Sequence, residues 1–182
     1  MKGKKFLAGL LAGLSVVLGS WGLVACGGTD SSSSSTSSTG ASSSEATQPK
    51  GVHYEVVGGE AVVTGYDGEE ESVTIEATYE GVAVTKIANN AFNSNATLTE
   101  IVIPDSVTVI GRSAFEMCLG LTSVTIGSGV TTIDESAFAY CSNLSSITFN
   151  GTKAQWNAIN KTSDWTFVPA TKVVCSNGEV DL

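Results

Sequence analysis

Ser113-Ala114-Phe115-Glu116-Met117-Cys118-Leu119-Gly120-Leu121-Thr122-Ser123-Val124-Thr125-Ile126 returns 23 residues later as Ser136-Ala137-Phe138-Ala139-Tyr140-Cys141-Ser142-Asn143-Leu144-Ser145-Ser146-Ile147-Thr148-Phe149. The same register reaches back to Ala91, Phe92, Leu98, Ile101 and Ile103, and it carries a second apolar pair, Val84 and Ile87, then Val107 and Ile110, then Val130 and Ile133. A unit this short cannot bury its own apolar edge. Stacked units set Leu on Leu and Phe on Phe in one continuous core, so the repeat predicts a solenoid. Within a unit, Val124-Thr125-Ile126 alternates with period two and reads as a half-buried strand with Thr125 outward. Val130 and Ile133 mark the opposite side of the coil, and Ser136-Ala137-Phe138 makes a tight or briefly helical turn between them.

A 23-residue period lies within the range of leucine-rich repeats, and Leu121, Val124 and Ile126 match the strand segment of that motif. The usual Asn after the strand is missing, its place held by Pro104-Asp105 in one unit and Gly127-Ser128-Gly129 in the next. The wording Ser113 to Phe115, Cys118 to Leu121 and Ser123 to Ile126 instead resembles the BspA-like leucine-rich repeat family over about residues 84–149. That resemblance implies a mainly β repeat solenoid that serves as a surface binding module. The tail Gly151-Thr152-Lys153-Ala154-Gln155-Trp156 with Asp164-Trp165 looks like the closing segment that follows such repeats, which makes Leu182 a natural end.

Three units, residues 84–149, need caps at both ends. Upstream, residues 51–83 hold two strand-like runs around Gly58-Gly59, a two-residue hairpin signal, and Ser72-Val73-Thr74-Ile75 repeats the strand wording before an insertion of five residues. The expected N-terminal cap is therefore a β-hairpin and a half-unit. Downstream, residues 150–182 lose the register. Thr152 and Gln155 form a capping box ahead of Trp156 and Ile159, predicting a small helical cap, with Val173 and Val174 supplying a last strand.

The first fifty residues are of another kind. Met1-Lys2-Gly3-Lys4-Lys5 precedes an uncharged apolar run from Phe6 to Ala25, the layout of an export signal. Leu23-Val24-Ala25-Cys26 resembles a bacterial lipobox, which implies cleavage after residue 25 and acylation of Cys26. Two or three acyl chains anchor a protein stably at roughly 0.8 kcal/mol per buried methylene, with no membrane helix required. The remainder of residues 26–50 is Ser-rich, has nothing to bury and reads as a disordered tether. As a coil its 24 or so residues span roughly 25 to 30 Å. The expected location is thus extracytoplasmic, lipid-anchored to the cell membrane and surface exposed.

Cleavage after residue 25 removes three of the nine basic residues and none of the 18 acidic ones, leaving a formal charge of −12. Such a polyanion is repelled by nucleic acid and by anionic head groups. No catalytic constellation is legible. His53, the chain's one histidine, stands at the edge of the linker and reads as an exposed residue leading into the first strand. Asp67, Glu69, Glu70 and Glu71 crowd a turn, but their spacing matches no calcium loop, and a solvated turn is expected. Cys118 and Cys141 occupy one column. Parallel side chains in stacked coils stay about 4.8 Å apart, so a buried thiol ladder is expected over a disulfide, and Cys175 has no equivalent. Asn95, Asn143, Asn150 and Asn160 begin Asn-x-Ser/Thr triplets that carry no meaning in a bacterial lipoprotein. No metal and no cofactor is expected.

What remains is the outward strand surface: Thr99, Glu100 and Val102; Thr122, Ser123 and Thr125; Ser145, Ser146 and Thr148. Solenoids bind through such sheets. Met117 and Tyr140, equivalent residues after the Phe, add the only larger side chains and suit either contact or packing at the core edge. The expected function is adhesion-type binding of a protein or glycan, of host or neighbouring cell, without catalysis. The alternative is a structural or accessory envelope role against components of the same cell surface.

Overall fold

The computed structural model describes residues 50–162 and 164–182. Cys26, the signal and residues 26–49 of the tether lie outside the described residues. In chain order the elements are β1 (Val52–Val57), β2 (Glu60–Tyr66), β3 (Ser72–Thr74), β4 (Thr78–Tyr79), β5 (Val82–Ile87), β6 (Glu100–Ile103), β7 (Val109–Ile110) and β8 (Ser123–Ile126). There follow β9 (Thr132–Ile133), β10 (Phe138–Ala139), β11 (Ser146–Phe149), α1 (Lys153–Ala158), β12 (Asn160–Lys161), β13 (Thr166–Phe167), β14 (Lys172–Cys175) and β15 (Gly178–Asp181).

The chain coils into a mainly β solenoid. One face is the sheet β15-β14-β11-β8-β6-β3, in which β3 to β14 run parallel, one strand per coil. The second face is β1-β2-β5-β7-β9-β12. The stack has five rungs, two more than the three units that keep perfect register. Val73 pairs with Ile101 and Val173 with Ile147 despite insertions in the intervening chain, so both end segments contribute full strands to the first sheet.

Alternation decides what is buried. In β8 Val124 and Ile126 face the core while Ser123 and Thr125 face out, and β6 and β11 repeat the pattern. Through the centre runs a column of rings. Tyr66 on Phe92, Phe92 on Phe115 and Phe115 on Phe138 stack with centroids 5.3, 4.9 and 5.0 Å apart, and Trp165 closes the column edge-on at 6.1 Å. Each fully buried ring contributes about 1.5–3 kcal/mol from burial, with a further stacking increment.

Where a leucine-rich repeat ordinarily has Asn, Asp105 does the bridging. Its Oδ1 accepts from the Ser128 backbone N–H at 2.6 Å and from the Ser128 hydroxyl at 3.1 Å. The next coil passes so close that a Cβ on Gly127 would collide with the Pro104 carbonyl. Steric necessity therefore explains the glycine.

The turn beginning at Ser136 is neither helical nor a simple β-turn. Asn90, Ser113 and Ser136 adopt φ of 60°, 53° and 58°, and four residues on Ser94, Met117 and Tyr140 adopt 60°, 59° and 59°. Left-handed residues of this kind cost roughly 1 kcal/mol or more each. They are held because alternate amides bond across to the next coil: Ser113 N to Glu135 O at 3.0 Å, Phe115 N to Ala137 O at 2.8 Å and Met117 N to Ala139 O at 2.9 Å. The solenoid thus has a third, turn-built side whose N–H groups are satisfied as in a sheet.

At the C-terminal end α1 carries the expected capping box, with Thr152 accepting from Gln155 N and the Gln155 side chain accepting from Thr152 N. Trp156 is buried against Phe149 and Trp165. The Lys161 ammonium donates to the carbonyls of Trp156 and Ile159 at 2.6 and 3.2 Å, adding to the Ile159 N–H that the Trp156 carbonyl already accepts. No helix among the described residues is long and apolar enough to cross a membrane.

Candidate functional site: the outward surfaces of the coil

The strand-face residues lie in two straight rows. Glu100, Ser123 and Ser146 are mutual register partners, as are Val102, Thr125 and Thr148. Thr99, Thr122 and Ser145 precede the strands. There the Thr99 hydroxyl donates to the Glu71 carbonyl at 2.9 Å and the Thr122 hydroxyl to the Thr99 carbonyl at 3.0 Å. Those two hydroxyl protons are consumed in joining coils, which leaves their oxygens as acceptors only toward a ligand.

A second surface stands out on the turn side. Met117 is 48% exposed, Leu119 48%, Tyr140 60% and Phe167 60%. Tyr140 and Phe167 stack with ring centroids 6.4 Å apart and planes inclined by 27°. Met117 and Tyr140 share a left-handed backbone and present much of their side chains to solvent. Phe167 belongs with them because β10 pairs with β13, Phe138 opposite Thr166 and Ala139 opposite Phe167, which sets the Trp165 ring against Phe138 in the buried column and the Phe167 ring against Tyr140 outside it. That correspondence is concealed in the sequence. Phe138 to its strand partner Thr166 spans 28 residues, five more than the repeat.

Cys118 and Cys141 are unbonded and buried, as expected of a thiol ladder. Each donates to the carbonyl of the Phe one coil back, Cys118 to Phe92 and Cys141 to Phe115, both at 3.0 Å. The neighbouring Cys118 thiol and burial push the Cys141 pKa well above that of an ordinary thiol. Such a group is a poor nucleophile.

His53 departs from expectation. It lies within β1, partly buried, with Nε2 2.7 Å from Asp67 Oδ1, while the Gly51 N–H donates to that same carboxylate oxygen at 2.8 Å. The side-chain contact with His53 and the Gly51 N–H hold the Asp67 carboxyl below its usual range. The acidic turn is organised rather than merely solvated. The Tyr66 hydroxyl donates to Glu70 at 2.8 Å, the Glu70 N–H donates to the Tyr66 oxygen at 3.1 Å, and Lys50 meets Glu69 at 2.9 Å. Among the described residues no group of three His, Cys, Asp or Glu side chains is placed to hold a metal ion.

The fold is shared with solved structures. A leucine-rich repeat protein from Bacteroides capillosus ATCC 29799 aligns with a TM-score of 0.60 and 28% identity, over 71% of this chain and 97% of the other. A leucine-rich repeat protein from Bacteroides ovatus ATCC 8483 aligns with a TM-score of 0.54 and 22% identity, over 70% and 37%. The T. pallidum leucine-rich repeat protein aligns at 0.51 and 24% identity, over 55% of this chain, which spans about half of that protein (51%). No curated protein matches the chain. The family described as BspA type leucine rich repeat region matches residues 71–172 in six copies. That match covers more than half of the sequence, and the chain belongs to the BspA-type leucine-rich repeat family.

Proposed function

We propose that the protein is an exported lipoprotein, held to the membrane through acylated Cys26 and the tether up to residue 50, that presents its solenoid on the cell surface to bind another protein without catalysis. Its end caps, residues 51–83 and 150–182, close the stack. The observation that carries the reading is the ridge Met117, Leu119, Tyr140 and Phe167. Ordinary surfaces scatter single apolar side chains, whereas contiguous apolar and aromatic surface marks contact sites. Aromatic anchors of this kind supply most of the energy at protein interfaces. The hydroxyl rows around Thr125 offer adaptable hydrogen bonds on the neighbouring sheet.

The test is cross-linking on intact cells. A photoreactive group at position 142, beside the ridge, is expected to capture a partner from host or neighbouring cells, and Tyr140→Ser with Phe167→Ser is expected to abolish capture while leaving the fold unchanged. Capture in pure culture of the cell's own envelope components would show the accessory role instead, and capture unaffected by the double substitution would remove the ridge from the reading. Mass spectrometry of the N-terminus is expected to find acylated Cys26; an uncleaved Met1 form would overturn the anchoring.

A further inference from the structure

The hairpin that begins the second sheet ends it with an open edge. Gly58 and Gly59 have φ of 65° and 87°, the signature of a two-residue turn in which the flanking Val57 and Glu60 exchange both backbone hydrogen bonds. Bonded and non-bonded pairs alternate from there. Val57–Glu60 and Glu55–Val62 are bonded, whereas Val56–Ala61 and Tyr54–Val63 are not. The N–H and C=O groups of Tyr54 and Val56 therefore point away from β2. Among the described residues β1 pairs with β2 alone, and neither Tyr54 nor Val56 makes another backbone hydrogen bond.

The other sheet ends are shielded. β15 carries Glu179 and Asp181, β12 is two residues long, and β3 is three. Edges are normally blunted by brevity or charge. β1 runs for six residues with one charged side chain, Glu55, and leaves Val56 and Val57 exposed by 41% and 54%. Beside it a shallow groove of about 420 Å³ is lined by Glu55, Val57, Val62, Thr64 and Lys86 among others, with Lys86 two strands further in from the edge.

Charge selects the occupant. Residues 51–83 contain eight Asp and Glu and no Lys or Arg. Glu55 and Glu60 stand on the hairpin itself. Glu76 donates its N–H to the Tyr54 oxygen at 3.2 Å, and Glu80 follows Tyr79, which stacks on Tyr54 at 4.8 Å. Two such caps would repel one another, so a second copy is disfavoured and a cationic segment attracted. We propose that the free edge of β1 takes up an extended, positively charged peptide as an added strand. Tyr54 and Val56 supply the backbone hydrogen bonds. A Lys or Arg falls opposite Glu55 at the close, non-bonded pair position. The site lies at the N-terminal end of the stack, apart from the Met117 to Phe167 ridge, and stands whether or not that ridge binds anything.

The test uses the full chain in neutral detergent and a synthetic octapeptide alternating Lys with Val. Binding is read by anisotropy of the labelled peptide and by hydrogen exchange at the Tyr54 and Val56 amides. The peptide is expected to slow exchange at both amides by about tenfold or more, as strand pairing does. N-methylation of alternate peptide nitrogens, which keeps the charge and blocks pairing, is expected to abolish binding. Replacing its Lys by Glu should do the same. Val56→Pro removes an outward N–H without breaking a bond to β2 and should weaken binding about tenfold; Glu55→Gln, which leaves the hairpin untouched, should weaken it about threefold. The proposal is overturned by equal binding of the N-methylated peptide, by unslowed amides, or by amides already protected without peptide, which would mean that the chain itself or a second copy occupies the edge.

Discussion

Phe115 and Phe138 stack with ring centroids 5.0 Å apart and planes within 5° of parallel, at one coil's separation. Each side chain in the middle of the column is thus both floor and ceiling for its neighbours, and a coil's stability is held largely in its two interfaces. Phe115→Ala opens a cavity against Phe92 and Phe138 together and is expected to cost about 3–5 kcal/mol. Urea unfolding followed by far-ultraviolet circular dichroism checks this; a loss below about 1 kcal/mol would mean that the neighbouring coils collapse freely into the gap.

The thiol ladder makes a second expectation concrete. Cys118 and Cys141 are buried and each donates to a Phe carbonyl, with the Cys141 pKa raised. In the native chain both should resist a thiol-reactive reagent and become reactive only as urea unfolds the protein. Cys141→Ala removes the thiol hydrogen bond and some packing and is expected to cost about 1–2 kcal/mol, whereas the native pair should show no disulfide by mass spectrometry. Rapid native labelling of either Cys would contradict the burial.

Ser113 is buried at a φ of 53°. A β-branched residue is poorly accommodated there, so Ser113→Val is expected to destabilise by about 2 kcal/mol. Ser113→Gly, which relieves the backbone, should be neutral or stabilising by up to about 1 kcal/mol. The difference between the two urea midpoints is the measurement, and equal midpoints would show that the turn rearranges on substitution.

Alkaline pH acts through Tyr66. Burial and the hydrogen bond to Glu70 push its pKa up to about 12 from an ordinary 10. A folded-state value above the unfolded one contributes stability that is fully present below pH 10 and is lost as pH rises through about 12. The urea midpoint of the parent chain should therefore fall across that window, and less so in Tyr66→Phe. Glu70 runs the other way. Its carboxyl is held down by the Tyr66 hydroxyl, so its contribution is present above the unfolded pKa and fades on acidification. Phenolate absorbance that shows every Tyr titrating near pH 10 would refute the assignment.

Much of this architecture was legible in the chain because burial is periodic. Val124, Ile126, Phe115 and Leu121 recur at 23 residues since each coil must present the same columns to the next, and the capping box at Thr152 and Gln155 is a local pattern read without tertiary information. The strand-face residues Ser123 and Thr125 followed from the same alternation. The sequence reads His53 as exposed because, although Gly58-Gly59 announces the strand reversal, the bulge between His53 and Tyr54 that sets the start of β1 against Asp67 has no local signature.

The sequence by itself thus determined the solenoid, the register of its three central units and the faces of their strands, because a repeated burial demand leaves a repeated apolar signature. Only the tertiary structure decided what the outside offers. Phe167 joins Tyr140 across a five-residue insertion, the hydroxyls of Thr99 and Thr122 are committed to the coil beneath, and β1 keeps an open edge among the described residues. Exposure and unmet pairing depend on which neighbour is or is not present in space, and that imposes no period on the chain.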